Sequence, residues 1–560
     1  MNHLLHNTQG FLRRWPAHLR ATMPITTIFT ACACVVQIAW ACVTPTIMCP
    51  DSLDYVANAI TLYDTGSFAH FDGWRSPGYS VMLVPLVALV DDVRAAAGML
   101  NVLLACIAIG LLAWSVRRLV FHAASSLKAA DICGAIAATV IACDPLLLLW
   151  QRHAMPEVAS MCVVALGVAT LAWLATSARI ARLTPARCVL VGAIAGGAIA
   201  AACFLRGNFQ LLLVLAPICL SACAYVRTSS FVRSALIGTA CLLVALGGIS
   251  PWFARMHERT GSWSFTVGGQ FARALFARET GLMDFHQPTV FDPAHIKRLT
   301  EMDLAGTLTP YAFIHEMNTG LLAPMGEGLP QLARTDLRAK ILVDESIRRR
   351  PWLRVSLAGK AFATQLGIVP FDVPGYRENA YWSRALRRES TDKTDSMRGP
   401  TKGPTEGDTN WVDGNDSSVR DVPVRAEAFA RTNTSIEAYR DSFVARGFDV
   451  VWRAGIVGRV VLAWIAVLGS AWLVVPTFRV LVRRVLKDGK AAELRQRDAS
   501  VLAIVLVAAC VASHGAAIAW VMLTGLDRYA FPVTPAWHAI AIMSVGVLTV
   551  RRARSIKEIL

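Results

Sequence analysis

The sequence predicts an all-α polytopic membrane protein of about ten transmembrane helices, with a juxtamembrane helix in its first external loop and a large second external loop. Three observations carry that expectation. Of the 560 residues, 55% are hydrophobic and only 17% are charged, where soluble domains carry about a quarter charged residues. The apolar residues fall in runs of roughly 17 to 25, enough to cross a hydrocarbon core about 30 Å thick. The basic residues then alternate between the ends of those runs.

The expected spans lie near 24–43, 95–114, 129–148, 155–176, 188–205, 209–226, 234–254, 456–478, 499–523 and 531–549. With the N-terminus in the cytoplasm (Arg13, Arg14, Arg20), the inner side also takes Arg117/Arg118, Arg179/Arg182/Arg187, Arg227/Arg233, the run Arg479 to Arg497, and Arg551 to Lys557. Roughly 22 basic residues then fall inside against about 5 in short external segments, which is the positive-inside pattern. The net charge of +16 is therefore a topology signal at span ends, and it implies a membrane partner and no nucleic acid. The first apolar run has no small-x-small cleavage site after it and is expected to remain as an uncleaved span.

Three regions follow. Residues 1–254 form an N-terminal transmembrane module whose first external loop is 44–92; 255–454 form the large external region; 455–560 form a C-terminal transmembrane module. Within the second region, Trp352–Leu366 is amphipathic and suits a membrane surface. The stretch 389–422 has almost no apolar content and is expected to be disordered. None of the 14 cysteines falls between Met256 and Val461, so the external region has no disulfide framework. The cysteines in the spans suit small apolar packing roles, and no CxxC or Cys/His metal spacing occurs.

The first external loop opens with Pro50-Asp51-Ser52-Leu53-Asp54-Tyr55, a helix start that Gly66 closes by the Pro-first, Gly-last asymmetry. Positions 51, 54, 55 and 58 share one helical face and Leu53, Val56, Ile60 and Tyr63 another. The expectation is a short helix on the outer membrane surface with its acidic face turned from lipid. On local chemistry alone, Asp51 is an N-cap and Asp54 a capping-box partner.

Taken together with Trp74-Arg75-Ser76-Pro77-Gly78-Tyr79, this segment resembles the first periplasmic loop of the GT-C glycosyltransferases. It is most similar to the bacterial branch that includes relatives of protein O-mannosyltransferases and the lipid A aminoarabinose transferases. Three further segments extend the resemblance. Met155-Pro156-Glu157 stands where the family often carries a second external acidic residue. Ser250-Pro251-Trp252, with Arg255, Gly261, Thr266, Gly268 and Gly269, is similar to a "PW..R" segment followed by glycines. Arg528-Tyr529-Ala530-Phe531-Pro532 is similar to the "RY..P" signature before the last span. The likeness spares about 375–450, and His257 stands where many relatives carry Asn.

The resemblance implies a glycosyltransferase in the plasma (inner) membrane with its active site facing the periplasm. The donor would be a polyprenyl-phosphate sugar and the acceptor a lipid, glycan or protein. Asp51 would be the catalytic carboxylate, with Asp54 and Glu157 as further acidic candidates. Tyr55, Arg75, Arg206, Arg528 and Tyr529 would bind substrate. A departing lipid phosphate is a weak base and needs cationic stabilisation more than protonation, whereas the acceptor hydroxyl needs a base. Direct displacement would invert the anomeric centre. Some relatives use a divalent metal and others use no cofactor; no ligand set in the sequence decides between them.

Each residue also has a plainer role. Interfacial arginines commonly snorkel. Asp144, Arg152, His153 and Glu157 crowd one tight external turn and suit an ion-paired knot as well as a site. His514 suits a satisfied interior histidine. Two other classes remain: a transporter, which expects broken helices and charges near mid-membrane, and an O-antigen ligase or polymerase, which leans on late-loop Arg and His.

Overall fold

A computed structural model describes residues 24–47, 50–71, 75–90, 92–261, 293–305, 331–368, 454–474, 492–522 and 531–559, with residue 73 and scattered residues between 263 and 282. The described residues are all-α, with one isolated parallel bridge between Ile47 and His153. In chain order the helices are α1 Ile25–Val43, α2 Pro50–Thr65, α3 Gly78–Val87, α4 Val93–Ala124, α5 Leu127–Ala142, α6 Pro145–Trp150, α7 Glu157–Thr176, α8 Pro185–Leu205, α9 Leu212–Thr228 and α10 Phe231–Thr260. Then come α11 Pro293–Leu304, α12 Gln331–Arg349, α13 Pro351–Gln365, α14 Ala454–Val474, α15 Ala492–Met522 and α16 Thr534–Ile559.

Among the described residues, nine helical segments are long and apolar enough to cross a membrane. Several outrun the apolar window. Helix α4 has 32 residues, about 48 Å at 1.5 Å per residue, and carries Arg117, Arg118 and His122 beyond its apolar stretch. Helix α10 continues past residue 254 through Pro251 to Thr260, where Gly261 caps it in the left-handed region. The expected span 129–148 is the exception: it is two helices, α5 and α6, broken at Cys143-Asp144. The break has a local cause, since Pro145 cannot continue the ladder and Asp144 instead caps α6 by accepting from the Leu146 amide at 2.8 Å.

Lipid-soluble packing explains how the bundle closes. Large apolar side chains such as Val35, Leu103, Ile194, Leu243 and Leu468 stand exposed on the outer faces, as hydrocarbon solvent allows. Contact between helices relies on small residues. Gly192 and Gly196, four apart on α8, lie so close to α10 that a Cβ at either would strike the carbonyl oxygen of Ile237 or Cys241. Buried polar atoms reach backbone acceptors: the Gln37 amide donates to Ala142 O at 2.7 Å and the Trp40 indole to Leu148 O at 2.8 Å, stitching α1 to the α5–α6 segment.

Helix α13 packs against the C-terminal half of α15. Phe362 and Leu366 lie over Gly515, and the Arg354 guanidinium sits 4.0 Å from the centre of the Trp520 ring. Trp352, at the start of α13, is 81% exposed. A small separate core, including Ala274, Leu299, Leu342 and Val343, joins α13 to α11 and α12. The stretch 389–422 and the wider 375–450 segment lie outside the described residues.

Candidate functional site

The segment between the first two spans is a helical hairpin. Helix α2 ends at Gly66, which adopts φ +63° and donates its amide to Leu62 O at 2.9 Å. The chain turns through a short 3-10 segment, Phe68–His70, and returns as α3. The face of α2 that packs differs from the expected one. Ser52, Tyr55, Val56 and Ala59 are buried, while Tyr63 is exposed. The cause is the partner helix: Ser80 on α3 donates to Tyr55 O at 2.9 Å, and the Tyr55 and Tyr79 rings meet edge to face at 5.5 Å. Tyr55 therefore leaves the acidic face and joins the packed side.

Asp54 and Arg75, singled out for different roles, meet across this hairpin at 3.0 Å, with side chains 30% and 22% exposed. Asp51 lies in the first turn of α2, and its side chain is outside the described residues, as are Arg528 and Tyr529.

Glu157 and Arg206 form a second pair. Glu157 opens α7, and Arg206 is the extended residue that closes α8. Their side chains meet at 3.2 Å with exposures of 0% and 8%. Gly78 brings the two pairs near one another. A Cβ there would come within 2.6 Å of the Phe204 carbonyl, so the start of α3, three residues beyond Arg75, rests directly on the backbone that leads into Arg206.

The expected knot around the 144–157 turn is replaced by separate partners from different elements. Arg152 donates to Thr44 O at 2.6 Å, Thr46 Oγ1 at 2.8 Å and Pro45 O at 3.3 Å. Burial pushes its pKa down to about 10, with Cys42 opposing and Arg94 adding to the shift, so it stays charged at neutral pH. Asp144 lies 3.4 Å from His538 Nδ1 on α16. The His153 carbonyl accepts from Asn101 at 2.6 Å, and Asn101 accepts from the Tyr79 hydroxyl at 3.1 Å. That buried chain ties the hairpin to α4 and to the turn before Glu157.

Residues on α10 hold the hairpin from the other side. Arg255 donates to Phe68 O, and Arg259 donates to Ala69 O and Phe71 O. Trp252 donates to Phe265 O at 2.8 Å and stands edge-on to Phe71. The "PW..R" segment thus serves as a bracket for the first loop. Arg259 and Asn101 escaped sequence reasoning; the signal for Asn101 was a lone amide in an apolar span.

Inward from Arg206, a groove with a cavity volume of about 110 Å³ runs between α7, α8, α9 and α15, lined almost wholly by apolar side chains from Val163 to Val533. Its outer end carries Phe209 and His514. Chemically, the region offers carboxylates held by guanidiniums at span ends, beside an apolar slot at membrane depth. Among the described residues, no three His, Cys, Asp or Glu side chains gather as metal ligands. In comparisons with known proteins, no family model matches the chain, and no curated protein matches it either.

Proposed function

We propose that this chain is a membrane glycosyltransferase that moves a sugar from a polyprenyl-phosphate donor to an acceptor hydroxyl on the external, periplasmic face of the inner membrane. The observation that carries the reading is the juxtaposition at Gly78: two arginine–carboxylate pairs from the first loop and from the α7 and α8 ends, above an apolar groove suited to a lipid chain. In the reaction, the acceptor oxygen attacks the anomeric carbon and the bond from that carbon to the phosphate oxygen breaks. The acceptor proton passes to Asp51, and the polyprenyl phosphate leaves with the bonding pair, inverting the centre. Arg75, Arg206 and Arg528 would stabilise the charge that grows on that phosphate.

Asp51 stands in the first turn of α2, a helix packed on α3 and followed by a turn whose carbonyls Arg255 and Arg259 hold, which suits a base that must be positioned. The transporter reading is weaker, because these ion pairs lie at span ends and not at mid-membrane. The test is comparative lipid and glycan mass spectrometry of cells with and without the protein. One missing sugar on one envelope molecule is the expected result. Identical profiles under conditions where the protein is expressed would reject the proposal.

A further inference from the structure

The groove between α7, α8, α9 and α15 contains very few polar side chains, and all but one of them are satisfied. Thr170 donates to Leu166 O at 2.8 Å. The thiols of Cys219 and Cys510 face each other with sulfurs 3.5 Å apart. His514 is the remaining one. It is 2% exposed, lines the groove, and among the described residues neither ring nitrogen has a hydrogen-bond partner. The sequence suggests a satisfied interior histidine; among the described residues nothing satisfies it. Its ring lies nearly parallel to that of Phe209, 17° apart with centroids at 5.0 Å, so the imidazole plane is set by packing alone.

An unbonded imidazole at membrane depth is costly, because neither water nor lipid tails satisfy it. A ligand in the groove would supply the partner. The occupant must have a long apolar body, since Ile199, Leu212, Leu220, Val507 and Val511 line the slot within the spans. It must also carry a hydrogen-bonding group at the outer end. Arg206, which Glu157 holds at 3.2 Å, is near enough for its charge to act on the His514 ring.

We propose that His514 binds the phosphate of a prenyl-phosphate lipid, one ring nitrogen donating a hydrogen bond to a phosphate oxygen while the prenyl chain lies in the groove. This rests on the lipid-donor reading above. A phospholipid offers the same phosphate chemistry, and the experiment separates the two sources.

Binding is measured on the full-length protein in nanodiscs with four probes: a long-chain polyprenyl phosphate, the corresponding polyprenol, phosphatidylglycerol and inorganic phosphate. Wild type is compared with His514→Phe, which keeps the stack on Phe209, and His514→Gln, which restores a donor. A hydrogen bond to a charged group corresponds to a loss of about 10- to 100-fold in affinity when removed. The expected result is that loss for polyprenyl phosphate in His514→Phe, partial recovery in His514→Gln, and polyprenol affinity within about twofold throughout. Polyprenol binding also reports that the groove is folded. Equal losses for polyprenol and polyprenyl phosphate would overturn the proposal, as would no loss for either. A wild-type protein that prefers phosphatidylglycerol would instead overturn the donor reading. A phosphate-specific loss at His514 alongside that preference would still locate a lipid phosphate there.

Discussion

The two arginine–carboxylate pairs have the same chemistry and opposite settings. Asp54–Arg75 sits on the α2–α3 hairpin with both side chains partly exposed, whereas Glu157–Arg206 is sealed between the ends of α7 and α8. A partly solvated pair contributes about 1 kcal/mol or less, so Arg75 can turn from Asp54 to a phosphate at little cost. A buried pair behaves differently. Two charges taken out of water depend on each other, and removing one strands the other. The comparison assigns mobility to the first pair and placement to the second.

The largest expected effect lies in the buried pair. Arg206→Ala should destabilise the protein by about 3–5 kcal/mol because the buried Glu157 loses its guanidinium partner. Thermal unfolding in detergent and the yield of monodisperse protein measure it. The double variant Glu157→Met with Arg206→Met should recover most of that loss and, on the proposed function, remain inactive, because it lacks one of the guanidiniums proposed to stabilise the departing phosphate. A single Arg206→Ala variant as stable as wild type would erase the contrast between the pairs.

At the surface pair the expected ratio reverses. Arg75→Ala should shift stability by about 1 kcal/mol or less and yet slow transfer, with Arg75→Lys retaining part of the rate because a point charge replaces the planar fork. Turnover at saturating donor, set beside the unfolding midpoint of the same preparations, reads both quantities. A large stability loss with unchanged turnover per folded molecule would make Arg75 a structural partner of Asp54 and nothing more.

Much of this architecture is legible in the chain. Span positions follow from apolar run length, and α2 follows from Pro50 and Gly66, because those signals are local. The faces and partners were less accessible. Tyr55 shares a helical face with Asp51 and Asp54 by angle, but the packed side of α2 was decided by α3, where Ser80 seeks the Tyr55 carbonyl. The break at Asp144-Pro145 carried a local turn signal that an otherwise continuous apolar run concealed. Glu157 and Arg206 stand 49 positions apart in sequence, and only the packing of α7 and α8 sets them face to face. Asp144 and His538 meet for the same kind of reason, across the two transmembrane modules. Polar satisfaction is hardest to foresee, since composition alone gave no sign that His514 lacks a partner.

The central claim is that the first turn of α2 carries the base for sugar transfer. Asp51 stands inside the first turn of α2, after Pro50, and not at its N-cap as the sequence suggested; Asp51→Asn therefore removes the carboxylate while keeping the size and shape of the side chain. The direct measurement is the rate of sugar transfer from a polyprenyl-phosphate donor per folded molecule, wild type against Asp51→Asn. The account predicts a loss of about 10²- to 10⁴-fold with unchanged expression and thermal stability. A rate within a few-fold of wild type would contradict it.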